Sequence, residues 1–409
     1  MILKNKFLEK SMPEQPIVPE ANMDENRVPK YGLPDPLRFA DGQIVDSASG
    51  WRKRRSELLE AFADQMYGHT PGEPISLERV ETRAEEPGAL NGLATRLQKR
   101  LWFMNQSKWI RLDLLVYIPN HVKPPAACFV GLNFNGNQAV ETDERIFPAE
   151  GQAGRNGRGS EASRWQVEQV LKRGYGLVTA CYEDLDPDFD DDFQNGVQPL
   201  FYRSGQIRPE AGEWGAIGAW AWGLSRILDY LELEPHLDPR RAAVIGHSRL
   251  GKAALWAGAQ DERFGMVISN NSGCGGAALS RRKFGETVQL ITQRFPHWFC
   301  KNFNRYQERE QDLPFDQHEL IALMAPRPVY IASAAEDLWA DPQGEFLSGL
   351  NASSVYRLLG QEGLRAKQMP PLNQPVFSRI GYHIRSGKHD VTAYDWEQFL
   401  IFADRYLQG

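Results

Sequence analysis

The sequence predicts an α/β fold: a mostly parallel sheet between helices, with antiparallel strands at the N-terminal edge. Three observations predict it. From Ala127 onward short apolar runs alternate with helical stretches, the pattern of strands joined by crossover helices. Between 75 and 118 apolar and polar residues alternate, most clearly at Leu112, Leu114, Val116 and Ile118, as in half-buried antiparallel strands. The third is Ile245-Gly246-His247-Ser248-Arg249-Leu250-Gly251-Lys252, which joins the apolar run 242–245 to a helix-forming run, 252–259. A strand that turns sharply into a helix with serine at the turn is the nucleophile elbow of α/β-hydrolases. Here the second glycine comes one residue later than in G-x-S-x-G, so on pattern alone an ordinary Gly-Ser turn fits equally well.

In chain order, residues 1–45 are expected as an extended N-terminal segment. Positions 9 to 45 are rich in proline and acid and include Tyr31-Gly32-Leu33-Pro34-Asp35-Pro36-Leu37, which suits a chain lying on a surface. A length of 409 residues would allow two or three domains, but one large α/β domain with insertions, 46–409, fits as well. In 51–67, Leu58, Leu59, Phe62 and Met66 have helical spacing and the run stops before Gly68. A buried strand follows at 127–134, then a helix at 163–173 with Gly174 as its stop, then a strand at 177–182. The helix 214–232 places Ile217, Trp220, Ala221, Leu224, Ile227, Leu228 and Leu231 on one stripe, and Asp238-Pro239 opens the elbow strand. Strands at 266–269, 329–333 and 382–385 and an amphipathic helix at 394–407 complete the chain.

Composition narrows the function. A net charge of −6 argues against nucleic acid as the main partner, and no apolar run reaches transmembrane length. The four cysteines, Cys128, Cys181, Cys274 and Cys300, lack C-x-x-C spacing, so neither a zinc site nor a disulfide framework is expected. The first eight residues lack the apolar core of a signal peptide, which leaves an intracellular protein or one shown without its leader. Eleven tryptophans exceed ordinary usage; core packing accounts for most, with one or two expected at a sugar-binding cleft. Asp186, Asp188 and Asp190 have the spacing of the first ligands of a calcium loop. Asp191 and Val197 stand where that loop needs glycine and glutamate, so 183–192 is expected to be a solvated surface loop.

A serine nucleophile needs a base, and the base needs a group that holds its tautomer. In α/β-hydrolases these follow in the order serine, acid, histidine. His389, in Gly387-Lys388-His389-Asp390, lies after the last strand and before the final helix, where this fold presents its base. His383 lies within the strand and is expected to pack, His247 flanks the elbow serine, and His297 and His318 are out of order. The acid should follow strand 329–333, where Glu336, Asp337 and Asp341 all remain candidates.

Here the residues carry a resemblance. Gly246-x-Ser248-Arg249-x-Gly251-Lys252 resembles the nucleophile motif of the glucuronoyl esterases, carbohydrate esterase family 15. The likeness extends through Ser272-Gly273-Cys274-Gly275-Gly276, Phe284-Gly285-Glu286, Ala325-Pro326-Arg327-Pro328, Asp337-x-Trp339-Ala340-Asp341-Pro342 and Gly387-Lys388-His389-Asp390, and is strongest to bacterial members. It implies hydrolysis of the ester between 4-O-methyl-glucuronic acid of glucuronoxylan and lignin alcohols. Ser248 would be nucleophile, His389 base and Asp337 the acid, with Arg249 at the oxyanion. Lys252, Glu286 and Trp339 would hold the sugar. Neither metal nor organic cofactor is implied, a monomer is expected, and the resemblance points to a secreted or periplasmic enzyme although no signal peptide is visible.

The chain departs from fungal members twice. Their cysteines beside nucleophile and base are replaced by His247 and by Lys388 and Asp390, so that disulfide is absent. Their glutamate after the preceding strand is replaced by Asn271; an amide cannot be the anionic partner of imidazolium, which leaves that role to Asp337. Independently of the resemblance, Arg249 and Lys252 are cations at a helix N-terminus, where they oppose the macrodipole, which favours a functional reading. The alternatives are another carbohydrate esterase, such as a xylan deacetylase, and a non-catalytic glycan-binding protein on the same fold. A peptidase of the prolyl-oligopeptidase type lacks its propeller-like repeats here.

Overall fold

The computed structural model describes residues 20–71, 75–105, 107–150 and 157–408. Among the described residues, nine strands form one sheet in the order β1-β2-β3-β5-β4-β6-β7-β8-β9. The strands are β1 (Leu77–Ala89), β2 (Ala94–Asn105), β3 (Lys108–Pro119), β4 (Ala126–Asn133), β5 (Gly176–Cys181), β6 (Leu237–His247), β7 (Met266–Asn270), β8 (Val329–Ala334) and β9 (Ile380–Arg385). β1, β2 and β3 pair antiparallel, β3 joins β5 antiparallel, and β5, β4, β6, β7, β8 and β9 run parallel.

Both faces of the parallel part are covered, and the two-residue side-chain period sorts the strands between two cores. Cys128, Val130, Ala242, Val244, Val329 and Ile331 face a core shared with helices Ala48–Phe62, Ala216–Leu231, Arg249–Gln260 and Pro342–Leu358. Phe129, Ala243, Ile245, Tyr330 and Ala332 face the other core, shared with helices Val167–Lys172 and Ala393–Tyr406. The same alternation continues in β3, where Leu114 and Val116 enter the first core and Leu115 and Tyr117 the second. Phe399, fully buried at the centre of the C-terminal helix, is a position where truncation to alanine would cost about 3–5 kcal/mol.

One expected element is different. The stretch 163–173 is two short helices, Ala162–Trp165 and Val167–Lys172, broken at Gln166, whose φ is 43°. The break lets Trp165 and the triplet Val167, Val170 and Leu171 all reach the second core, which one continuous stripe would not. Residues 1–19 of the expected N-terminal segment lie outside the described residues. From residue 20 the chain lies on the domain through separated contacts. The Asn22 carbonyl accepts from Gly285 N at 2.7 Å, Glu25 meets Arg282 at 2.6 Å, and the Pro34 carbonyl meets His318 Nε2 at 2.9 Å. The four cysteines are free and buried. Among the described residues no helix is long and apolar enough to cross a membrane.

Candidate active site

The residues singled out by sequence cluster at the carboxyl ends of the parallel strands: Ser248 follows β6, Asn271 follows β7, Asp337 follows β8 and His389 follows β9. Loops at that edge carry the chemistry in open α/β sheets because helix N-termini and strand ends converge there. Ser248 caps the helix Arg249–Gln260 with φ 57° and ψ −128°, a backbone conformation that costs a non-glycine residue about 1–3 kcal/mol. Ser248 N donates to the Asn270 carbonyl at 2.9 Å, which ties the turn to β7. A Cβ on Gly246 would stand 2.0 Å from the Leu250 carbonyl oxygen, so only glycine fits beneath the turn. At Gly251 a Cβ would meet Ser272 at 3.0 Å and the Gly246 oxygen at 3.1 Å. The displaced glycine therefore serves close packing against the segment after β7, and the turn is an elbow.

His389 and Asp337 meet. His389 Nδ1 lies 2.5 Å from Asp337 Oδ2, and Asn271 Nδ2 donates to the same oxygen at 2.8 Å. Burial raises the Asp337 carboxyl, but the hydrogen bond and charge of His389 and the Asn271 amide together outweigh it, so its pKa stands below the usual carboxylate value. Asp337 is thereby kept ionised beside an imidazole that is 41% exposed and open to a substrate. Glu336 points to solvent. Asp341 is buried, accepts from Arg282 Nε at 2.8 Å and Gly344 N at 2.9 Å, and caps the helix Pro342–Leu358. The His389 ring lies 4.5 Å from that of His247. Burial and the His389 charge push His247 down to about 3, so its ring is neutral and Nδ1 donates to Asn270 Oδ1 at 2.7 Å. His383 packs in the core, with Nε2 2.9 Å from Asp395.

Lys252, Glu286 and Trp339 form a second group. Lys252 Nζ donates to the Ser272 carbonyl at 2.6 Å and lies 5.7 Å from the Trp298 ring. Burial lowers the Lys252 pKa and raises that of Glu286, and the two charges favour one another's ionised form. Glu286 N donates to the Trp339 carbonyl at 3.0 Å, and Trp339 is half-buried with Arg294 stacked 5.4 Å from its ring. The backbone needs Gly285 here: a Cβ would stand 2.4 Å from the Trp339 oxygen. A buried cation and carboxylate, with the exposed Arg294 over an aromatic face, suit the hydroxyls and carboxyl of a sugar acid.

Arg249 reaches away from the helix and stacks on Trp298 at 4.7 Å, with Phe295 at 5.6 Å and Phe134 at 5.8 Å. Burial lowers its pKa. Its Nη1 binds Asp188 Oδ2. This overturns the expectation of a solvated loop for the part around Asp186 and Asp188, while Phe189, Asp190 and Asp192 are exposed as expected of a surface loop. Asp186 is 1% exposed and the Asp188 side chain 8%, because both turn inward after β5. Asp188 accepts from four side chains, and among the described residues no three His, Cys, Asp or Glu side chains converge as a metal site would require.

Sequence reasoning missed Asp188, Arg294, Trp298 and His297. Asp188 was hidden in a run of acids, and His297 was set aside on chain order alone. The adjacent His297-Trp298 pair, two residues with N–H donors in an apolar run, was the one available signal.

Residues 190–360 match the family model described as "Glucuronyl esterase, fungi". Carbohydrate esterase MZ0003, from an unknown prokaryotic organism, is 49% identical over 402 residues, spanning 95% of this chain and 92% of the relative. The 4-O-methyl-glucuronoyl methylesterase 1 of Wolfiporia cocos is 27% identical over 86% of this chain and 78% of its own length. The solved glucuronoyl esterase of Solibacter usitatus superposes with a TM-score of 0.89 at 48% identity, covering 94% of this chain and 100% of that one. An elbow serine, a His–Asp pair and a fold held in common over nearly the whole chain lead to one family: this protein belongs to the glucuronoyl esterases, carbohydrate esterase family 15.

Proposed function

We propose that this chain is a serine esterase that cleaves the ester between 4-O-methyl-glucuronic acid of glucuronoxylan and a lignin alcohol. The observation that carries it is the His389 Nδ1–Asp337 Oδ2 bond of 2.5 Å, with the His389 ring 4.5 Å from that of His247, the residue that precedes the elbow serine. Asp337 holds the tautomer that leaves Nε2 free to accept the Ser248 proton. Ser248 Oγ attacks the ester carbonyl, and the oxyanion that forms faces the backbone N–H and guanidinium of Arg249. Collapse expels the alcohol with the proton from His389; water then enters by the same base and releases the uronic acid.

Lys252, Glu286 and Trp339 hold the sugar, and the buried charges of that group support the reading because an acetyl group would leave them nothing to bind. The name of the Wolfiporia cocos relative supports the acid half of the ester. A cell-wall polymer does not cross a membrane, so the reading includes a secreted or periplasmic location. It also includes a monomer, and a division of the chain into an N-terminal segment, 1–45, and a single catalytic domain, 46–409. Hydrolysis of benzyl glucuronate, run beside an acetyl ester, tests the specificity. Turnover of the uronate ester should dominate, and Ser248→Ala should lower kcat by about 10⁴-fold or more while binding persists. Preference for the acetyl ester would replace this reading with the deacetylase one.

A further inference from the structure

We infer that Asp188 is the positioning residue for the Arg249 guanidinium, anchored in turn by His297, Trp298 and Tyr182. The inference rests on the proposed role of Arg249 at the oxyanion. An arginine side chain has many rotamers, and a donor stabilises a transition state well only if it is already in place. The aromatic shelf of Trp298, Phe295 and Phe134 confines the guanidinium to a slot without fixing its position along it. Asp188 supplies the missing fixed point. One carboxylate oxygen takes Arg249 Nη1 and the Tyr182 hydroxyl, the latter at 3.1 Å; the other takes His297 Nε2 at 3.0 Å and Trp298 Nε1 at 2.7 Å.

The anchors are themselves rigid. Trp298 is 3% exposed and stacks on Phe295 with ring centroids 3.8 Å apart; His297 is 5% exposed. Burial holds His297 down to about 4, so it is neutral, and with its proton on Nε2 only a lone pair is left unpartnered at the buried Nδ1. Asp188 thus accepts from one cation and three neutral donors. That set balances one charge and leaves the remaining guanidinium N–H groups for a second anion.

The test is a double-mutant cycle on kcat and KM for benzyl glucuronate, with thermal midpoints recorded for every variant. Asp188→Ala should lower kcat by about 10–100-fold with KM changed less than about threefold, since the lost alignment acts on the transition state. In an Arg249→Ala background, the same substitution should cost less than about twofold, because the group it positions is gone. Asp188→Asn, which keeps size and acceptor but loses the charge, should fall between wild type and Asp188→Ala, and keeps the test usable if the alanine variant does not fold. Equal losses in both backgrounds would make Asp188 a structural residue only and overturn the inference. If Arg249→Ala itself keeps nearly full activity, the oxyanion role of Arg249 fails first and the inference fails with it.

Discussion

The two ends of the site are held by different means. On the base side, the loop that carries His389 is shaped by a few neighbouring residues. Arg385 donates from Nη1 to the Ser386 carbonyl at 3.1 Å and from Nη2 to those of Lys388 and Asp390, at 3.0 and 2.5 Å. Its Nε donates to the fully buried Asp395 at 2.7 Å, which also meets His383 and Thr392. The loop is moulded around one guanidinium. On the oxyanion side, Arg249, Asp188 and Trp298 come from three distant parts of the chain and meet through stacking and a single carboxylate. The base side is a local polar clamp, and the oxyanion side exists only once the sheet has formed. Damage to the Arg385 clamp should therefore cost stability and catalysis together, and damage to the oxyanion side mainly catalysis.

The largest effect should come from Asp337→Ala, which leaves the imidazolium unsupported: kcat should fall by up to about 10⁴-fold with the fold intact. Adding Asn271→Glu should return part of that loss, since Asn271 already touches the same carboxylate. Retention of most activity by Asp337→Ala alone would mean that another carboxylate serves. Next, Arg249→Ala removes the charged donor but keeps the backbone one, and should cost about 3 kcal/mol, or roughly 10²–10³ in kcat. A change confined to KM would instead make Arg249 a substrate anchor.

Arg385→Ala breaks the clamp and leaves Asp395 buried without its cation. A stability loss of about 3–5 kcal/mol is expected, with kcat of the folded fraction down by up to about 10² as the His389 loop shifts. Denaturant titration and single-turnover kinetics would report both; an unchanged midpoint would erase the contrast between the two sides.

The smallest effect concerns Glu345, buried under the acid loop, where it accepts from Gly273 N at 3.0 Å and meets Ser333 Oγ at 2.6 Å. Burial pushes its pKa up to about 8. The folded state then keeps a proton that the unfolded state loses near pH 4, so this group makes stability fall as pH rises from about 4 to about 8. Glu345→Gln should flatten the thermal midpoint across that window, and an unaltered slope would place the titration elsewhere.

Elements and chemistry were legible to different depths. The parallel sheet, the elbow at Ser248 and the place of His389 after the last strand could be read because each is written in short runs: apolar alternation, a glycine pair, a histidine between a strand and the last helix. The choice among Glu336, Asp337 and Asp341 was less legible, since all three sit in one loop and only their directions separate them. Asp186 and Asp188 in the loop 183–192 were misread because a run of acids looks solvated whichever way each carboxylate turns.

By itself, the sequence determined the strand and helix pattern, the strained serine turn and the order along the chain of the serine, the carboxylate and the histidine. These depend on neighbours within a few residues, where backbone sterics and side-chain period act. Only the tertiary structure decided that Asp188 faces Arg249, that His297 and Trp298 hold it there, and that Glu286 lies beside Lys252 and Trp339. The physical reason is burial: a charged side chain turns inward only where distant elements supply its hydrogen bonds, and nothing in the local sequence records which elements those will be.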